Sequence, residues 1–414
     1  MGHPRRIVVT GLGAVSALGA GAEANWSAAR DGVCGIAPHL FDPGAHGPEP
    51  VTLPAALAQP GFGAALEARM GRKLSATLDR FALFALVSAF EALDQAGLIE
   101  HPALSQRTAV VLGHGQGGQE TLEKSYERFF GQKTQRMHPT SVPKIMVSGA
   151  ASAVAMQFVI HGPVFATSSA CASSAHAVVQ GAGLIQTGLA DIAVVGGSEA
   201  IATPGSMAGW QAIHALSDTT CRPFSAGRDG MVMGEGGAVM ILEEREHALA
   251  RGARILGEYL GAGMSSDAFH ITQPSLDGTQ AALRAACVNA GLTDLDQVLV
   301  SAHGTGTPLN DQNEAATLRA VFGPRVGRHP VIATKSAHGH LIGGSAALQA
   351  VIALKALEAG LAPPIQGYLG ADPDCDLDLV LGTARAITAR HVVLNAFAFG
   401  GLNVSMAFAG PDAE

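Results

Sequence analysis

Short apolar runs alternate along the chain with longer stretches in which apolar residues recur at helical spacing. Strands are predicted at 7–10, 108–112, 191–195, 238–243, 255–262, 298–302, 331–334, 391–397 and 404–408. Helices are predicted at 75–96, 174–188, 278–290, 311–322 and 344–359. Most of the strands are continuous apolar runs without alternation, as strands buried on both faces require. Strand and helix in alternation point to an α/β protein with buried, largely parallel strands. The most apolar stretch, 145–160, carries Ser148, Ser152 and Gln157 and is shorter than a membrane span, so it reads as a core helix. Residues 39–60, rich in Pro, Gly and Ala, read as a surface excursion. Thr108 to Gly115 and Val298 to Gly304 both end a strand in a His-Gly turn, a faint internal repeat at half-chain spacing.

Composition narrows the class. Of 414 residues, 48% are hydrophobic and only 14% charged, which leaves little polar material to cover a monomer; a large subunit interface relieves that shortage. A formal charge of −8, with no run of Lys or Arg, argues against a nucleic-acid partner. The first residues lead into a strand pattern and show no secretory signal, so a cytoplasmic protein without membrane insertion is expected. Cysteines at 34, 171, 221, 287 and 375, with no C-x-x-C pair, suggest neither a disulfide framework nor a zinc site.

Cys171 stands apart from the other four. It lies in Ala166-Thr167-Ser168-Ser169-Ala170-Cys171-Ala172-Ser173-Ser174-Ala175, where small residues crowd a thiol between an extended stretch and a helix. Backbone N–H groups and the positive end of a helix dipole there favour thiolate, the setting of a nucleophile. Two further strands run into glycine-broken loops with imidazoles: Ser301-Ala302-His303-Gly304-Thr305-Gly306-Thr307-Pro308, and Thr334-Lys335-Ser336-Ala337-His338-Gly339-His340. A thiol with two such loops is a candidate catalytic constellation. Other motifs carry less. Gly113-His114-Gly115-Gln116-Gly117-Gly118 fits G-x-G-x-x-G, but no acidic residue follows about 20 positions on to hold a ribose. Gly196-Gly197-Ser198-Glu199-Ala200 reads as a tight strand-to-loop turn, 372–378 as a solvated edge, and the His338/His340 pair lacks a nearby third metal ligand.

Taken together with Arg6-Ile7-Val8-Val9-Thr10-Gly11-Leu12-Gly13, Arg222-Pro223-Phe224-Ser225-Ala226-Gly227-Arg228-Asp229-Gly230 and Gly400-Gly401-Leu402-Asn403, these segments resemble the β-ketoacyl-acyl-carrier-protein synthases, condensing enzymes of the thiolase-like superfamily, over nearly the whole chain. The resemblance implies an α/β thiolase-like fold of two pseudo-duplicated βαβαβαββ halves in an αβαβα layering, with residues 1–254 forming one half and 255–414 the other. It also implies decarboxylative condensation of an acyl group held on Cys171 with a malonyl thioester. His303 and His340 are then donors to the enolate oxygen, and the backbone amides of Cys171 and Phe399 form an oxyanion hole. Lys335, paired with Glu314, supports His340. Thr305 and Thr307 hydrogen-bond a phosphopantetheine arm, and Phe399 gates the pocket. The implied partner is an acyl carrier protein docked on Arg72, Lys73, Arg80, Lys133 and Arg136, with no metal and no cofactor beyond the carrier's phosphopantetheine, in a homodimer or a heterodimer with a related subunit.

Gln116 departs from the apolar residue many fatty-acid members place at the acyl pocket. A buried glutamine is costly against a saturated tail unless it finds a partner. A short, unsaturated or functionalised acyl chain, as in type II polyketide or polyene pathways, is the expectation. Leu402 replaces the usual threonine before Asn403 and bears on the mobility of the Phe399 loop. Two alternatives stay open: a catalytically silent chain-length-determining partner, against which the intact Cys171, His303 and His340 speak, and a coenzyme-A-dependent thiolase-type or priming enzyme, which employs a different residue set.

Overall fold

The strands pair into one 11-stranded sheet in a computed structural model that describes residues 5–71, 73–292 and 297–411. Its main strands are β1 (Ile7–Ser16), β2 (Thr108–Gly113), β3 (Val164–Thr167), β4 (Ile192–Glu199), β5 (Gly236–Glu244), β6 (Gly257–Ser266), β7 (Leu299–Ser301), β8 (Val331–Ile332), β9 (His391–Ala398) and β10 (Leu402–Ala409). They run in the order β8-β7-β9-β10-β6-β1-β5-β4-β2-β3, with Gly19–Ala20 attached to β1 as a short hairpin. Read outward from the central antiparallel pair β6/β1, the two arms repeat each other: 1-5-4-2-3 on one side, 6-10-9-7-8 on the other. Parallel and antiparallel pairings also match, β2 lying parallel to β3 and β4 as β7 does to β8 and β9.

Helices complete the layers. α1 (Arg80–Gln95) and α2 (Gly149–Phe158) cover the outer face of the first arm, while α4 (Leu276–Asn289) and α5 (Pro308–Phe322) cover that of the second. Between the arms lie α3 (Ser173–Gln186) and α6 (Ser345–Ala359), in contact with each other and with strands of both. This is the thiolase-like αβαβα arrangement. A helix in the middle layer has protein on every side, so α6 is apolar nearly all round, with Leu348, Val351, Ile352 and Leu354 in the main core beside Val178 and Met406. Residues 342–359 are long and apolar enough to cross a membrane, yet 83% of that span is buried in the protein.

Close approach between layers demands glycine where β2 meets α3. A Cβ on Gly113 would lie 2.2 Å from the carbonyl carbon of Ser173, so only glycine lets the strand reach the first turn of the helix. The 39–60 segment is a surface excursion only in its middle, 42–50, which is almost wholly exposed. Ala37–Phe41 and Val51–Ala56 form strands that join Met233–Gly234 in a three-stranded sheet, and Leu53, Ala55 and Ala56 are buried there. Its Pro and Ala content hid a register that tertiary packing supplies.

Candidate active site

Cys171 sits in a single 3₁₀ turn, Ala170–Ala172, between β3 and α3. Ala170 holds φ at 48°, the left-handed region, at a cost of about 1–2 kcal/mol for a residue with a Cβ. That kink turns Cys171 toward a cavity of about 340 Å³ lined also by His303, Thr305, Thr307, His340, Phe397, Phe399 and Asn403. The thiol and one ring nitrogen from each of His303 and His340 all lie within 4.8 Å of one another. The two imidazoles meet edge to face, centroids 5.5 Å apart. Three segments distant in sequence thus converge as expected.

Tautomers follow from what faces each ring. The Ile342 N–H points at His340 Nδ1 at 3.2 Å, and Ser345 Oγ lies 2.8 Å from the same atom. A backbone amide only donates, so Nδ1 accepts and the proton resides on Nε2, which is buried and has no partner among the described residues. Lys335 Nζ stands 3.4 Å from His303 Nδ1; an ammonium also only donates, which puts the His303 proton on Nε2 as well. Burial and the neighbouring Lys335 charge hold both rings far below the usual imidazole range, hence neutral. The site therefore offers two neutral N–H donors. The same polarity works against a metal: a ligating imidazole donates its second N–H to an acceptor, whereas here both Nδ1 atoms face donors.

Burial opposes the thiolate that the place of Cys171 at a helix start favours. It pushes the thiol up to about 11, outweighing the Lys335 charge and the backbone amides of Phe399 and Cys171 that face the sulfur. Desolvation wins because the residue is only 7% exposed. Phe399 packs against Trp210, with centroids 6.1 Å apart. Its loop turns through Gly400 and Gly401 at φ 83° and 69° and is pinned by Gly400 N–H to the Ile271 carbonyl at 2.7 Å.

The supporting residues differ from expectation in one respect. Glu314 and Lys335 form no ion pair within 4.0 Å; each is held by other partners. Glu314 accepts from His303 N–H (2.8 Å), Gly304 N–H (2.8 Å) and Asn395 Nδ2 (2.9 Å), which clamps the turn that carries His303. Lys335 donates to the His303 carbonyl (2.5 Å) and to Gln349 Oε1 (2.7 Å). Burial drives both groups toward their neutral forms, Glu314 upward and Lys335 downward. Gly304 at φ 42° lets the clamped turn form. Thr305 and Thr307 line the cavity with their hydroxyls 2.9 Å apart, while Asp311 receives the Phe224 and Gly306 amides and braces the same loop.

Other predicted residues lie elsewhere. Gln116 does not line the Cys171 cavity: its amide is drawn to Glu199 at 3.3 Å and the residue is exposed on the protomer surface. Arg80 is no free docking cation. It pairs with Glu235 (Nε to Oε2, 2.8 Å) and lies over Phe62 and Phe84, at 5.2 and 5.0 Å. Lys73, Lys133 and Arg136 are exposed and do not line the cavity, Arg136 sharing a shallow cleft with Lys124, Arg128 and Lys144. Arg72 lies outside the described residues. Sequence reading passed over Glu199 and Gln349. Glu199 is fully buried, pushed up to about 7, and receives the amides of Gly115 and Gly343 at 2.5 and 3.1 Å, tying the two arms together behind the site. A lone acid after a glycine pair and a lone Gln in an apolar helix were the available signals.

With this geometry the family matches agree. The model of the beta-ketoacyl synthase N-terminal domain matches residues 4–248 and that of the C-terminal domain residues 256–368. Nodulation protein E of Rhizobium meliloti (strain 1021) is 39% identical over 98% of this chain and 99% of its own length. The 3-oxoacyl-[acyl-carrier-protein] synthase 2 of Staphylococcus aureus (strain COL) is 35% identical over 99% of both chains. The ishigamide ketosynthase/chain length factor superposes with a TM-score of 0.89 at 30% identity, over 99% of this chain and 100% of the other. A thiol and two neutral imidazoles at the floor of a thiolase-like fold, with relatives of this kind along the full length, make the chain a member of the β-ketoacyl synthase family, the acyltransferases that join acyl units by condensation.

Proposed function

We propose that Cys171 takes an acyl group from a carrier thioester and that His303 and His340 then drive its condensation with malonyl-carrier. The convergence of the three groups within 4.8 Å in one cavity carries this assignment of roles. In the first half-reaction the Cys171 sulfur adds to the acyl carbonyl, the carrier thiol leaves, and the thiol proton passes from one sulfur to the other. No net proton is consumed, which suits a nucleophile that rests as a thiol. The Cys171 and Phe399 amides receive the oxyanion of the tetrahedral intermediate. In the second half-reaction the malonyl carboxylate departs as carbon dioxide, and its bonding pair becomes the enolate. Two Nε2–H donors hold the enolate oxygen while its carbon attacks the acyl carbonyl. Cys171 leaves as thiolate and takes a proton from water.

Thr305 and Thr307, on the cavity wall, hold the phosphopantetheine arm; no other cofactor is needed. The carrier is an acyl carrier protein, and Lys73, Lys133 and Arg136 are its docking cations. Gln116, exposed on the protomer, selects a short, unsaturated or functionalised chain where a second subunit covers it. The edge of the sheet argues for a dimer. Among the described residues β3 pairs on one side only, and Phe165, with Met146, Met156 and Val159 around α2, leaves an exposed apolar face for a second copy or a related subunit. The halves are residues 1–254 and 255–414, a division that the repeated strand order of the two arms supports. Intact-protein mass spectrometry with acyl-carrier tests the assignment. Wild type should gain one acyl mass and Cys171→Ala, which keeps the small-residue turn, none; acylation persisting in the mutant would overturn it.

A further inference from the structure

Lys335 is fully buried, and its ammonium has three N–H groups for three acceptors: the His303 carbonyl at 2.5 Å, Gln349 Oε1 at 2.7 Å and His303 Nδ1 at 3.4 Å. None is a carboxylate, and among the described residues no carboxylate lies within ion-pair distance. Gln349, also fully buried on α6, has its orientation fixed from both ends, because its Nε2 donates to the Ala302 carbonyl at 2.7 Å while its oxygen faces Lys335. A carboxylate in its place would set an oxygen against that carbonyl. We propose that Gln349 is a positioning residue whose neutral amide, braced on Ala302, aims Lys335 at His303 Nδ1 and so keeps the His303 proton on Nε2, where the enolate oxygen needs it. The proposal rests on the ketosynthase reading.

The chemistry of the amine gives it a signature. Other titratable groups acting on Lys335 are Glu314, Asp311, Cys171 and Cys221, whose charges would stabilise the ammonium, and His338 and His340, which stay neutral. If Lys335 loses a proton, its two remaining N–H groups stay on the two oxygens and its lone pair turns to His303 Nδ1. The His303 proton then moves to Nδ1, and Nε2 no longer donates. Decarboxylation therefore has an alkaline limb set by Lys335, brought down from the ordinary lysine range by burial among neutral acceptors.

The test is malonyl-carrier decarboxylation and acyl transfer to Cys171, each followed against pH, in wild type, Gln349→Glu and Gln349→Met, with thermal melts to verify folding. The carboxylate should move the alkaline limb of decarboxylation up by about one pH unit, a tenfold change in the ionisation constant, and the thioether, which offers no comparable acceptor, should move it down by a similar amount. Acyl transfer, which relies on the Cys171 and Phe399 amides, should change no more than about threefold. A limb at the same pH in both folded variants, or equal loss of both steps, overturns the role. A wild-type chain inert toward malonyl-carrier contradicts the ketosynthase reading itself and this role with it.

Discussion

Glutamine in place of Glu314 is a one-atom change with a calculable consequence. Oε1 receives the His303 amide and Asn395, and Oε2 receives the Gly304 amide. An amide keeps only one oxygen. If it takes the position facing two donors, its NH₂ meets the Gly304 N–H across 2.8 Å. One hydrogen bond to a charged acceptor is lost, worth about 1.5–3 kcal/mol, and a buried donor is left unsatisfied at about 1–3 kcal/mol. Removing a buried charge offsets part of this, since burial already drives Glu314 toward its neutral form. The net is a destabilisation of about 2–4 kcal/mol, which a domain with about 5–15 kcal/mol in hand survives. The released turn carries His303, so decarboxylation should fall about 10–100-fold, as when other orienting partners are lost. Urea unfolding gives the first quantity and carbon dioxide release from malonyl-carrier the second. Stability within about 0.5 kcal/mol of wild type together with an unchanged rate would show that the clamp does not position His303.

Glu199, raised to about 7 in the fold, binds a proton that the unfolded chain has released, so its contribution to stability is present below about pH 4.5 and lost as pH rises to about 7. Unfolding titrations should show that slope in wild type and its loss in Glu199→Gln; equal slopes would refute it. Gly113→Ala should cost at least about 2 kcal/mol and slow acylation of Cys171, because the new methyl meets the backbone of Ser173; a neutral mutant would mean that β2 and α3 can move apart. With its thiol near 11, Cys171 should react with iodoacetamide about tenfold faster per pH unit from 7 to 10, and a plateau at neutral pH would contradict a buried thiol.

Pattern alone located nearly every long strand, because strands buried on both faces read as uninterrupted apolar runs. The two strands of the small sheet, Ala37–Phe41 and Val51–Ala56, were missed, and in the main sheet β3 was the exception. Its four residues, Val164–Thr167, are too short and too mixed to stand out, and only their pairing with β2 makes them a strand. The Cys171, His303 and His340 loops were legible because strand, glycine and reactive side chain fall together in sequence. What was not legible is whatever depends on burial or on partners far along the chain. The thiol's proton, the absent Lys335–Glu314 contact and the engagement of Arg80 by Glu235 each turn on groups the local sequence does not name. Gln349 likewise becomes a candidate only when its helix is seen between Ala302 and Lys335.

The most direct measurement separates the two half-reactions in His303→Ala and His340→Ala. Intact mass should report acyl-Cys171 forming within about tenfold of the wild-type rate, while carbon dioxide release from malonyl-carrier falls by about 100-fold or more, the usual scale for losing an oxyanion donor. Equal loss of both steps, or decarboxylation that survives either substitution, would contradict a site in which one sulfur carries the acyl group and two neutral imidazoles hold the enolate.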